Sequence, residues 1–326
     1  MSVLILNKRD IESLLSMRTC LELMERALAS LARGKVVLPL RPVLRIPDSR
    51  NVFALMPAYS AELEAIGTKF ITVFPDNHGT ELDSHQGAVI LIDGERGNLL
   101  ALMDAASITA IRTAAVSGVA TKLLAGSDVT TLAILGSGVQ ARTHVDAMLE
   151  VRPFRKVLVW SRNAEHAKAL VKSFESRGVE FEVARDAQSA VRSADVVCTV
   201  TASPQPVLHG KWLRPGTHIN AVGASLPTAR ELDSEAVRMA DVWVDRRESA
   251  LNEAGDLLIP IKEGVISADH IRGEIGELLS GHDRGRGDGK EITLFKSLGL
   301  AIEDLACAHY LHDRAKSDRV GTWVEL

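Results

Sequence analysis

One short turn limits what this chain can fold into. Thr131-Leu-Ala-Ile-Leu-Gly136 is an apolar run that ends in glycine, and Val139 to Met148 is helix-like, so Gly136-Ser137-Gly138-Val139-Gln140-Ala141 lies between a strand and a helix. A Gly-x-Gly-x-x-Ala spacing in that context is a dinucleotide fingerprint. Gly136 permits the tight turn, Gly138 lets backbone approach a pyrophosphate, and Ala141 allows close helix–strand packing. The helix N-terminus then faces the phosphate charge. An ordinary glycine turn is the bland alternative, and the rest of the chain weighs against it. Apolar runs at 157–160, 179–183, 195–200, 218–222 and 241–244 alternate with helix-like stretches, the rhythm of βα units around a parallel sheet.

The second strand of that series, Lys156-Val-Leu-Val-Trp160, ends in Ser161-Arg162-Asn163. An NAD-specific site places Asp or Glu about 20 residues beyond the glycines, to bind the ribose hydroxyls. No acid stands there. Arg162, flanked by Ser161 and Asn163, suits a 2′-phosphate, so NADP(H) is the preferred cofactor and NAD(H) remains possible. The competing readings are an exposed arginine after a strand and a site of dual specificity.

Ahead of the turn the pattern differs. Residues 1–7 read as a first strand, too short an apolar stretch for a signal or membrane segment. Ile11, Leu14, Leu15, Leu21, Met24, Leu28 and Leu31 form the stripe of one amphipathic helix. Strand-like segments at 43–46, 52–56, 65–74, 88–93 and 98–104 predict a largely antiparallel sheet, followed by a helix from about residue 108 to about 125 with Ser107 as N-cap. Segment 281–291, with four glycines and mixed charge, reads as a mobile surface loop, and a last helix covers about 297 to 316.

With 326 residues, 46% of them hydrophobic, the chain can bury two cores, and its net charge of −4 gives no electrostatic reason to expect nucleic acid or an anionic membrane as partner. Three scattered cysteines argue against a disulfide framework and fit a reducing cytoplasm. His309 and His312 lack further ligands at a telling spacing, so no metal is expected, and Cys198, in an apolar strand, is assigned no chemistry. Arg41, Lys69 and Arg112 are cations among apolar or small neighbours, as in Gly67-Thr68-Lys69-Phe70 and Ala110-Ile111-Arg112-Thr113. Such cations invite a buried anion, and a guanidinium fork suits a substrate carboxylate, although a salt bridge explains each one equally well.

Several blocks in order, Met56-Pro57-Ala58-Tyr59-Ser60, Ser84-His85-Gln86, Met103-Asp104, Ile108 to Ala115, Gly136 to Ala141, Ala221 to Ser225 and Phe295 to Gly299, resemble the ornithine cyclodeaminase/mu-crystallin family across nearly the whole chain. The resemblance implies an α/β protein: a Rossmann dinucleotide-binding domain over 121–304, plus an α+β substrate and dimerisation domain with a mostly antiparallel sheet over 1–120, completed by 305–326. It also implies a homodimer joined through the first-domain sheets, and a substrate in the cleft between domains. The carboxylate clamp carries over to Lys69 and Arg112, with Arg41 as a third member. Cofactor contacts carry over to Thr113, Gly136, Ser137, Gly138, Val139, Gln140, Ser161, Arg162, Asn163, Thr201, Val222, Gly223, Ala224 and Ser297.

Two positions depart from the members that cyclise ornithine. Where those resemble one another in a glutamate and an aspartate, this chain has Ala54 and Ser225. Without those carboxylates ornithine cyclisation loses its general base. The pattern is closer to the mu-crystallin branch, which implies reduction of the C=N bond of a small α-imino acid by NAD(P)H. His85, Ser225 or a water would serve as proton source. Cyclodeamination, alanine-dehydrogenase-like reductive amination and a non-catalytic cofactor-binding protein are the alternatives.

Overall fold

A computed structural model describes every residue except Met1, His78, Gly79, Asp83, Glu175, Ser176, Asp283, Arg284 and Asp288. The chain forms two compact units, one of residues 1–112 with 299–326 and one of residues 113–298.

The first unit is built on a mixed, mostly antiparallel sheet. From edge to edge its strands are Thr322–Glu325, Ser2–Leu6, Leu99–Asp104, His85–Asp93, Ala65–Val73, Val52–Ser60 and Val36–Val37, and Val43–Arg45 also pairs with Val52–Ser60. Among the described residues, only the pairing of Ser2–Leu6 with Leu99–Asp104 is parallel. In Val52–Ser60 the buried side chains are Ala54, Met56, Ala58 and Ser60, the period-two alternation of a strand covered on one face. Helix Ala301–Asp318 covers that face and also packs on helix Met17–Ala32. Cys20 and Cys307, far apart in sequence, meet between those two helices as free buried thiols, their sulfurs 3.8 Å apart.

The single helix expected over 11–31 is two. Asn7 and Asp10 form a capping box on Lys8–Leu14, Leu15 is extended, and the Ser16 side chain accepts the Thr19 N–H to start Met17–Ala32. The apolar stripe runs unbroken across the joint because Leu15 stays buried, which hides the break from periodicity. The next helix runs Ala105–Leu124 and begins earlier than expected. Its cap is Asp104, not Ser107: the Asp104 carboxylate accepts the Ser107 N–H at 2.8 Å and the Ser107 hydroxyl at 2.5 Å.

The second unit is an eight-stranded parallel sheet in the order Glu180–Val183, Lys156–Trp160, Thr131–Leu135, Val196–Thr199, His218–Ala221, Ile292–Lys296, Ala240–Val244 and Ile271–Glu274. The first five follow the 3-2-1-4-5 order of a dinucleotide-binding fold, and the sixth place is taken by the unit's last strand in sequence. Strands such as Val196–Thr199 and Ile292–Lys296 are buried throughout, as parallel strands between two layers of helix must be. Ile292–Lys296, last in sequence, inserts between His218–Ala221 and Ala240–Val244. The helix expected to begin near 297 begins at Ala301. Segment 281–291 includes three residues outside those described, and its Arg286 donates to the carbonyls of Leu124, Gly216 and Glu291. Among the described residues no helix is long and apolar enough to cross a membrane.

Candidate active site

The first unit holds a buried cluster of two cations and two carboxylates. Lys69 lies mid-strand on the face covered by helix Ala301–Asp318, and Arg112 lies on helix Ala105–Leu124. Glu303 and Asp304 occupy the first turn of helix Ala301–Asp318, where the helix dipole favours negative charge. Lys69 Nζ is 2.9 Å from Asp304 Oδ2 and donates to Thr109 Oγ1 at 3.2 Å. Arg112 donates from Nη1 to Glu303 at 2.7 Å and from Nε to Asp304 at 3.2 Å. Asp304 thus bridges both cations. With Lys69 at 2% exposure and Arg112 at 4%, the ion pairs are screened from water and far stronger than surface pairs.

These neighbours set the protonation states. Burial, and then the Arg112 charge, push the Lys69 ammonium down to about 8, against the pull of Asp304 and Glu303. Burial also works against the Arg112 charge, but the two carboxylates together outweigh it and hold the guanidinium above its ordinary value. Arg112 therefore stays charged at every working pH, and Lys69 titrates just above neutrality.

Ala54 lies on the face that carries Lys69, since it pairs with Ile71 while Met56 pairs with Lys69. Its side chain there is a methyl group, which can neither give nor take a proton. His85 shares that face but pairs with Val73, about 13 Å along the strand from Lys69 at ~3.3 Å per residue. It is exposed, with Ser84 Oγ 3.0 Å from its Nδ1. Arg41 precedes the strand Val43–Arg45 and is half-buried. Of the three expected clamp residues, Lys69 and Arg112 are the two that Asp304 joins, and Ser225 is an exposed residue of the second unit.

In the second unit the expected cofactor residues gather at one edge of the sheet, because each group follows the C-terminal end of a parallel strand. Gly136 to Gln140 follow Thr131–Leu135, Ser161 to Asn163 follow Lys156–Trp160, Thr201 follows Val196–Thr199, Val222 to Ala224 follow His218–Ala221, and Ser297 follows Ile292–Lys296. Ligands of open α/β sheets bind along such an edge. Thr113 is the exception, a buried residue of helix Ala105–Leu124. Gly136 adopts φ +134°, and a Cβ there would lie 2.7 Å from the Val200 carbonyl, so the turn requires glycine.

The turn fits a dinucleotide. Gly138 caps helix Val139–Val151 without a side-chain hydrogen bond, and a Cβ on it would meet nothing within 4 Å. Open space at a helix N-terminus is what a pyrophosphate uses. Ser137 Oγ lies 2.9 Å from Ser161 Oγ, joining the turn to the second strand end, where Arg162 is exposed. The Asn163 side chain is engaged as the cap of helix Ala164–Lys172. Beneath the turn His144 bridges the Gln140 carbonyl and Ser117 Oγ, and burial lowers its pKa to about 4. The ring is neutral, so Nδ1 donates and Nε2 accepts.

Sequence reasoning missed five ionisable residues that organise these sites: Glu303 and Asp304 in the first unit, and Glu231, Asp256 and Lys296 in the second. All five are 1% exposed or less. Glu303 and Asp304 interrupt the run Leu300-Ala-Ile-Glu-Asp-Leu-Ala306, the same charge-in-apolar signal that singled out Lys69.

Comparison with known proteins agrees with this geometry. Residues 1–319 match the ornithine cyclodeaminase/mu-crystallin family. The mouse ketimine reductase mu-crystallin is 43% identical over 301 residues, 91% of this chain and 92% of that protein. The Thermococcus litoralis Δ1-pyrroline-2-carboxylate reductase, solved with NADH and L-proline, superposes with a TM-score of 0.96 at 42% identity, covering 98% of this chain and 99% of its own. An archaeal alanine dehydrogenase dimer with bound NAD superposes with a TM-score of 0.95 at 34% identity over the full length of both chains. The chain belongs to the ornithine cyclodeaminase/mu-crystallin family.

Proposed function

We propose that this protein reduces the C=N bond of a small α-imino acid to the corresponding L-amino acid with a nicotinamide dinucleotide as reductant. The observation that carries the reading is the buried Lys69–Arg112 pair beside a face where Ala54 stands in place of a carboxylate. The reductases of imino acids among its relatives support it.

The substrate carboxylate binds Lys69 and Arg112, sharing their donors with Asp304 and Glu303. Because those two carboxylates already balance the cations, the site recognises a planar anion by donor geometry more than by net charge. The dinucleotide, held at the Gly136 to Gln140 turn, would supply the hydride for the imine carbon. Lys69, with its pKa near 8, can hold a proton at Nζ and release it to the developing amine nitrogen at neutral pH. Exposed His85 and Ser225 are secondary candidates for that proton. A lyase that cyclises ornithine must deprotonate an amine, and neither Ala54 nor Ser225 can do so.

Arg162 and the missing acid after Trp160 favour NADPH, and the NADH held by the Thermococcus relative supports acceptance of NADH as well. The assembly is a homodimer, a reading supported by the dimeric alanine dehydrogenase. To test the function, purified protein is mixed with NADPH or NADH and a panel of cyclic and acyclic imino acids. Imino-acid-dependent loss of nicotinamide absorbance is the expected result. Release of ammonia and proline from ornithine without net cofactor consumption would replace the reading with cyclodeamination. Tight NADPH binding without turnover of any substrate would make the protein a binder.

A further inference from the structure

Three buried ionisable residues of the second unit, none of them expected as cofactor contacts, form one network under the sheet edge. Glu231 Oε1 accepts the Thr201 backbone N–H and the Thr201 hydroxyl, both at 2.6 Å, and Oε2 accepts the Gly223 N–H at 2.6 Å. Lys296 Nζ donates to the Ala224 carbonyl at 2.5 Å and pairs with Asp256 Oδ2 at 2.9 Å. The other Asp256 oxygen accepts the N–H groups of Glu231 and Leu232 at 2.8 and 3.0 Å. Asp256 therefore ties the lysine that holds Ala224 to the glutamate that holds Gly223 and Thr201.

A buried carboxylate costs several kcal/mol to desolvate, and burial together with the Asp256 charge pushes the Glu231 pKa up. An apolar residue would fill the volume at lower cost. What an apolar residue cannot do is accept three hydrogen bonds from two different strand-end loops at once. The two loops follow the unit's fourth and fifth strands, Val196–Thr199 and His218–Ala221, in the half of the sheet beyond the Gly136 turn, and in a two-half dinucleotide fold the nicotinamide half of the cofactor lies on that side. The fit between the loops is close: a Cβ on Gly223 would lie 2.0 Å from the Thr201 carbonyl and 2.6 Å from Glu231 Oε1.

We infer that Glu231 is a positioning residue for the reductase: it locks residues 201 and 223–224 into one rigid ledge that orients the nicotinamide ring, with Asp256 and Lys296 as its buried support. The inference rests on the dinucleotide reading of this unit. Because Glu231 acts on the nicotinamide half alone, its loss separates two affinities that a general loss of structure would lower together.

The test uses the whole chain, with NADH and ADP-ribose as probes. ADP-ribose has the adenine, the pyrophosphate and both riboses but no nicotinamide. In Glu231→Gln the new amide can no longer accept from both loops, and Gly223→Ala drives the loops apart by its methyl group while leaving the carboxylate in place. Both variants are expected to weaken NADH binding about tenfold or more and to leave ADP-ribose affinity within about twofold, measured by fluorescence titration. The deuterium isotope effect from NADH dideuterated at C4 rises in both as hydride transfer becomes slower. Equal loss of NADH and ADP-ribose in both variants, unfolding included, would make Glu231 a residue of general stability and overturn the inference. Unchanged NADH affinity in both would overturn it as well. A wild-type protein that binds neither NADH nor NADPH would instead overturn the dinucleotide reading beneath it.

Discussion

At the scale of single residues, Asp304 joins Lys69 and Arg112 of the proposed substrate site, and its effects separate by pH. Lys69 is charged below its folded pKa of about 8 and loses that charge as pH rises through it, so kcat/KM for the imino acid falls on the alkaline side with a midpoint near 8. Asp304 raises the Lys69 pKa; Asp304→Asn removes that support and moves the alkaline limb to lower pH, which a kcat/KM profile across the neutral and alkaline range would detect. An unmoved limb would separate Lys69 from the pH dependence. Arg112→Lys keeps the charge but loses the fork that spans Glu303 and Asp304, and kcat/KM should fall roughly a hundredfold, equivalent to ~3 kcal/mol. Lys69 and Arg112 were visible in the sequence because a charge among apolar residues must find a partner. Which partner it finds was not visible, because Glu303 and Asp304 lie almost two hundred positions beyond Arg112, at separations of 191 and 192 residues, and only the docking of helix Ala301–Asp318 on the sheet brings them together.

At the scale of elements, the cap of helix Ala105–Leu124 gives a direct check. Asp104→Ala removes the acceptor for the Ser107 N–H and hydroxyl and should cost ~1 kcal/mol in denaturant unfolding, whereas Ser107→Ala, which keeps the N–H bond, should cost less. The second unit carries two buried neutral histidines. Burial lowers His144 to about 4, and burial, with Arg286 next, lowers His218 to about 3. Their folded values lie below the ordinary imidazole value, so the unfolded chain binds these protons first. Stability is full above about pH 6.5 and falls as pH drops toward 4, each ring contributing about 1.4 kcal/mol per pH unit. His144→Gln should flatten that slope by about one proton. Six of the parallel strands were legible as apolar runs, and the glycine turn fixed where the first of them ends, whereas Ile292–Lys296, between the glycine-rich segment and the last helix, was not read as a strand. Ile271–Glu274 was not, because Arg272, Gly273 and Glu274 give a strand with no apolar pattern, and the joint at Leu15–Ser16 was hidden by a hydrophobic stripe that continues across it.

At the scale of the whole molecule, the proposed dimer has a candidate surface. The sheet face opposite helix Ala301–Asp318 carries Val37, Leu44, Leu55, Tyr59 and Ile66, each at least 36% exposed and placed on one side by the strand pairings. Apolar side chains clustered in this way mark association surfaces. Tyr59→Asp should shift the protein from dimer to monomer in sedimentation equilibrium, and an unchanged mass would move the interface elsewhere. The sequence was informative at this scale because short blocks spread over the whole chain kept the order of the family, while pocket shape, which selects one imino acid over another, is formed by residues that no local pattern joins.

In the proposed reaction hydride moves from the cofactor to an imine carbon. The most direct measurement incubates the protein with NADH dideuterated at C4 and Δ1-pyrroline-2-carboxylate and examines the product by mass spectrometry and NMR. The predicted product is L-proline bearing one deuterium at its α-carbon, formed in step with oxidised cofactor. Proline formed only from ornithine, with ammonia released and the reduced cofactor left unconsumed, would contradict it.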